Sequence, residues 1–144
     1  ANVDDFLEWA KIQPWMVLHE LAHAWHHRFV AGGYDNPVIL SAYKKAKKRG
    51  RYNRVRYYDG TRKRAYALND QMEFFAEISE AYFGKNDFLP FDNKELKAFD
   101  RTAYAMVEKI WKVRKRRCAC PDKTAFRDGI TPIWPAIRRG GCAP

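Results

Sequence analysis

Between residues 15 and 30, apolar side chains return every three or four positions: Trp15, Leu18, Ala22, Trp25 and Phe29. That is the period of a helix with one face turned inward. Pro14 suits its entry and Gly32-Gly33 its end. A shorter helix is predicted over 2–12, with Phe6, Leu7 and Ala10 on one side. Asn36-Pro37 forms a cap and first turn for a helix running to about Lys48, stopped by Gly50. The runs 54–58 and 61–66 flank Asp59-Gly60, a hairpin signal. Asn69 or Asp70 caps a further helix through about Phe83, closed by Gly84. A short helix is predicted over 93–99. Asp100 caps a last one through about Val113, with Tyr104, Val107 and Trp111 on one side. From Arg114 the periodicity fades into scattered Pro, Gly and Cys. The pattern predicts a mainly α (α+β) core over 1–113, with one small hairpin, and a loosely structured tail over 114–144.

Length and composition fit one domain: 144 residues, 47% of them hydrophobic. No apolar run approaches the length needed to span a bilayer, and no signal peptide is visible. The chain opens on Ala1, as a processed or cut piece would. The net charge of +10 is unevenly spread. Residues 43–64 alone net +10 and residues 114–144 net +6, while 1–42 and 65–113 each net −3. Two basic blocks suit acidic partners, nucleic acid or anionic lipid. No nucleic-acid motif accompanies them, so a solvated basic face is the simpler reading. Cys118, Cys120 and Cys142 are odd in number and contain no C-x-x-C pair, which leaves free thiols.

The chemistry concentrates in the first long helix, which holds all four histidines. His19-Glu20-Leu21-Ala22-His23 fits H-E-x-x-H, a metalloprotease signature. Residues i and i+4 share a face one turn apart, so both imidazoles can reach one ion. Glu20 is rotated by about 100° and flanks that ion, where it can take a proton from water. The competing reading is a chance match on an ordinary amphipathic helix. Against it, two histidines and a glutamate among Leu18, Leu21, Ala22 and Trp25 need partners. A catalytic zinc takes three protein ligands and keeps one open position. His26 lies about 10 Å further along the axis than His19 and cannot share its ion. His27 is further still. Both are expected in supporting or surface positions. The third ligand is therefore expected to be a carboxylate from elsewhere.

The best source is the helix after Asp70, where Glu73 and Glu77 share one face among apolar neighbours. Carboxylates on so apolar a helix are costly unless paired or metal-bound. The economical assignment gives Glu73 to the metal and Glu77 to a hydrogen bond that fixes a ligand imidazole's tautomer. The bland assignment leaves both acids facing solvent or paired with nearby Lys and Arg.

H-E-L-A-H followed by a later E-F-F-A-E helix resembles the lethal factor type of gluzincin zinc metallopeptidase, and a group of bacterial proteins of the same kind. The likeness covers roughly residues 2–112. It implies Glu73 as third zinc ligand, Glu77 as the following family acid, and Tyr66 as the tyrosine that assists the oxyanion. It also implies a sheet with a substrate-aligning strand ahead of the active helix. With that helix starting near residue 15, the upstream sheet is expected to be missing. The expected activity is zinc-dependent hydrolysis of peptides or proteins, with Glu20 as general base. The alternative is a structural or vestigial zinc site in a protein that binds acidic partners, nucleic acid or anionic surfaces, through its basic segments.

Overall fold

A computed structural model describes residues 2–112. The expectations for the tail and its three cysteines lie outside them. The described residues form six helices: α1 (Val3–Ile12), α2 (Met16–Arg28), α3 (Pro37–Arg49), α4 (Gln71–Phe83), α5 (Asn93–Phe99) and α6 (Arg101–Ile110). Single 3-10 turns span Gly33–Asp35, Arg51–Arg54 and Tyr66–Leu68. The mainly helical reading holds. Among the described residues no helix is long and apolar enough to cross a membrane.

Local chemistry explains the boundaries. Asn36 accepts from the backbone N–H groups of Val38 and Ile39 at 3.0 and 3.1 Å, with Pro37 opening α3. Gly50 ends it at φ 68°, a left-handed conformation that costs glycine nothing. Asp70, rather than Asn69, caps α4, accepting from Met72 and Glu73 at 2.8 and 2.9 Å. Asp100 caps α6 in the same way and is itself buried.

The hairpin is shorter than expected: β1 (Val55–Arg56) pairs antiparallel with β2 (Arg62–Lys63), Val55 opposite Lys63. Only Val55 of the four is buried, so nothing apolar rewards a longer ladder. Tyr66 consequently falls outside the strand, in the Tyr66–Leu68 turn. That turn is fixed to α3 by Tyr43, whose hydroxyl donates to the Leu68 carbonyl at 3.0 Å. Among the described residues no strand precedes α2.

The centre of the described residues is α4. Every residue from Phe74 to Ala81 is buried, as expected of a helix covered on all sides. It packs against α2, α3, α5, α6 and the Tyr66–Leu68 turn. Trp25 and Phe75 both stack on Trp111, and the Trp111 indole N–H donates to Ser79 Oγ at 2.9 Å. By contrast α2 is less buried than its pattern predicts. Only Ala22 and His26 are fully covered, and Leu21 and Phe29 are exposed. The apolar side of α1 is exposed too, at Phe6 and Leu7.

The helices α2 and α4 run in opposite directions. Trp15 lies against Gly84, His19 meets Glu80, and His23 meets Glu73. At Gly84 a Cβ would overlap the Trp15 indole, so this glycine is required by close approach. Gly84→Ala is expected to cost about 1–3 kcal/mol. The cost would appear as a lower urea midpoint, and an unchanged midpoint would contradict the contact.

Candidate metal centre

Two helices supply the centre. His19 and His23 project from adjacent turns of α2, their rings edge to face with centroids 4.8 Å apart. Glu73 sits in the first turn of α4, fixed by the Asp70 cap. Its Oε2 lies 3.0 Å from His19 Nε2 and 3.4 Å from His23 Nε2. One ligand atom from each of the three residues falls within 4.8 Å of the others. Ligands about 2.0–2.1 Å from a tetrahedral ion stand roughly 3.3 Å apart. The observed spacing of two imidazole nitrogens and a carboxylate oxygen therefore fits a divalent metal ion. The sequence-predicted trio is brought together.

The supporting carboxylate differs from the expected one. His19 Nδ1 meets Glu80 Oε1 at 2.6 Å, so Glu80 takes the position predicted for Glu77. A proton on Nδ1 pointing at Glu80 leaves Nε2 free to bind a metal. Residues 73, 77 and 80 follow i, i+4 and i+7 on one helical face. That spacing was available in the sequence, but the choice between 77 and 80 depends on how α2 rotates against α4.

The charges around His19 are tightly coupled. Burial pulls its pKa down, but the hydrogen bond and charge of Glu80, helped by Glu77 and Glu73, outweigh this and lift it to about 9. Burial, then the Glu80 charge, pushes Glu77 up to about 8. Burial raises Glu80 against the opposing pull of His19.

A cleft of about 410 Å³ opens beside the centre. His19, Glu77, Glu80, Glu20, Tyr66, Tyr57 and Phe88 are among its lining residues. Glu20 is exposed there. Tyr66 is 47% exposed, and the Glu73 charge raises its pKa. Gln13 and Asp87 also line this cleft. Sequence reasoning missed both, because they come from loops.

The remaining histidines part company. His27 is exposed, its ring 5.0 Å from that of Tyr34. His26 is neither a surface group nor a support for the ligands. It is fully buried, edge-on to Tyr34 and Phe75, and neither ring nitrogen makes a well-formed hydrogen bond. Burial, aided by His23, lowers its pKa to about 4, so it packs as a neutral aromatic ring.

No family model, no curated protein and no solved structure matches the chain.

Losing the carboxylate that orients a ligand histidine weakens metal binding by roughly 10–100-fold. Glu80→Ala is expected to show that loss in competition with a chelating dye. Glu80→Gln, which keeps an acceptor oxygen, should lose less. Wild-type affinity in Glu80→Ala would mean that His19 needs no such support.

Proposed function

We propose that the chain is a zinc-dependent peptidase of gluzincin type, acting on peptides or proteins. The reading rests on one observation. The Glu73 carboxylate reaches both imidazole Nε2 atoms beside a cleft that also holds Glu20 and Tyr66. The H-E-L-A-H and E-F-F-A-E resemblance supports it independently. His19, His23 and Glu73 would hold the zinc, with Glu80 fixing the His19 ring. Zinc bound there would supply a Lewis acid that polarises a peptide carbonyl and makes water acidic.

The protein's own groups do the rest. Glu20 accepts a proton from water in the cleft and returns it to the departing amine. The Tyr66 hydroxyl donates to the oxygen on which negative charge develops. His19 and His23 stay on a rigid helix, so the ligand nitrogens need no rearrangement. The zincin-like core is part of this proposal, with the substrate-aligning strand of those enzymes lacking a counterpart among the described residues.

A second reading, binding of polyanions without catalysis, is favoured by one observation. Arg51, Arg54, Arg56 and Arg62 gather on a groove of about 520 Å³ floored by Val55, Leu89 and Phe99. Binding of that kind weakens steeply as salt rises, whereas peptide hydrolysis should follow chelation.

Glu20→Gln is expected to keep zinc and lose about 10²–10⁴-fold in peptide hydrolysis. Tyr66→Phe should lose about 10²–10³-fold in kcat. Both are measured on a fluorogenic peptide library with zinc-loaded protein. Hydrolysis surviving in Glu20→Gln would show that another group is the base.

A further inference from the structure

The hairpin stands between two depressions. Tyr57 and Phe88 line the cleft of the metal centre, while their chain neighbours Arg56 and Leu89 line the groove that also holds Arg51, Arg54 and Arg62. The two segments are joined. The Leu89 N–H donates to the Arg56 carbonyl at 2.8 Å, and Tyr57 bridges Phe88 antiparallel. Successive side chains of such a ribbon leave opposite faces, so groove and cleft lie back to back across it. Two of the arginines are set in place by the fold. Arg51 donates to the Phe99 carbonyl at 2.7 Å, and the Arg56 guanidinium lies 5.1 Å from the centre of the Phe91 ring. Arg54 and Arg62 are exposed. Among the described residues no carboxylate pairs with Arg51, Arg54 or Arg62, and Arg56 has only Glu95, 3.9 Å away. Between the arginines the surface turns apolar, with Val55 buried and Leu89 and Phe99 half-buried.

We infer that this groove docks an acidic stretch of the protein substrate outside the cleft, its carboxylates on the arginines and an apolar side chain on Val55, Leu89 and Phe99. The word substrate rests on the peptidase reading; the docking of an acidic peptide does not. Guanidiniums gathered round one groove repel one another, and entering carboxylates replace that repulsion with attraction. Each guanidinium is a planar fork that matches a carboxylate bidentately. Arginines already held by the fold lose little freedom on binding. The apolar floor selects a peptide over a nucleic acid. Single-stranded nucleic acid stacks its bases on successive aromatic faces. Phe99 is the one aromatic ring among the described residues that line the groove, and it is edge-on to Tyr52. An extended chain rises about 3.3 Å per residue, so roughly six residues lead from the cleft over the edge of the ribbon to the groove. Docking there raises the effective concentration of the scissile bond at the cleft, so it acts on KM.

Binding is read by fluorescence anisotropy of a labelled peptide that alternates acidic residues with leucine. The protein is the full-length, zinc-loaded Glu20→Gln variant, in which cleavage is suppressed. The peptide should bind at low salt and weaken as salt rises, and its counterpart with amides in place of the acids should not bind. Arg54→Gln combined with Arg62→Gln, both at exposed positions, should weaken binding about tenfold or more and keep the circular dichroism spectrum. Hydrolysis is read on wild type with two fluorogenic peptides that carry the same acidic stretch roughly six residues before or after the scissile bond. In one of them the stretch should lower KM about tenfold with kcat unchanged, and the double variant should lose that gain. Binding that ignores the acids, or wild-type affinity in the double variant, overturns the docking. So does tighter, arginine-dependent binding of a single-stranded oligonucleotide of equal charge. Arginine-dependent peptide binding with no change in KM overturns the assignment to substrate. Absence of hydrolysis on every peptide would sink the peptidase reading, and with it the word substrate, while the anisotropy still decides the groove.

Discussion

A carboxylate held between two imidazoles couples α2 to α4, and the arrangement of the cleft follows from that coupling. Glu73 Oε2 reaches both His19 and His23, and Glu80, two turns on, takes the other nitrogen of His19. These contacts fix the rotation of α2 about its own axis. With that rotation set, Glu20 faces the cleft and His26 turns into the core. The Trp15–Gly84 contact at the far end fixes how far the two helices slide past each other. Much of the apolar surface of α2 stays uncovered, so its position owes more to these polar and close contacts than to burial.

Electrostatics and packing are in tension on α4. A helix buried on every side carries Glu77 and Glu80 in its most covered stretch. Replacing such groups by apolar ones often leaves a protein as stable or more so. Their presence therefore calls for a role other than stability. A histidine raised to about 9 beside acids raised by burial is an environment that favours an added cation. Perturbed ionisable groups lining a cleft are a recognised mark of function.

The helices and caps were legible because short-range chemistry decides them: Asn36, Asp70 and Asp100 each accept from the backbone of the turn that follows. His19, His23 and Glu73 were legible because i,i+4 spacing and ligand counting leave few choices. What the sequence could not carry depends on how elements meet. Glu77 and Glu80 are equivalent on a helical wheel until α2 docks. The pattern gave His26 a supporting or surface position, whereas it is buried against Tyr34 and Phe75. Phe6 and Leu7 have the spacing of a buried stripe, but the described residues do not cover them. The hairpin shrank because Arg62 and Lys63 bury nothing. The basic block from residue 43 to 64 turned out to feed a groove of four arginines, which charge counting alone does not locate.

The central claim is that Glu73 completes a zinc site with His19 and His23. The most direct test is elemental analysis of bound zinc per chain in wild type and in Glu73→Ala, after reloading and desalting. The account predicts one zinc per chain in wild type and a clear loss in the variant. Equal zinc in both, or none in reloaded wild type, would contradict it.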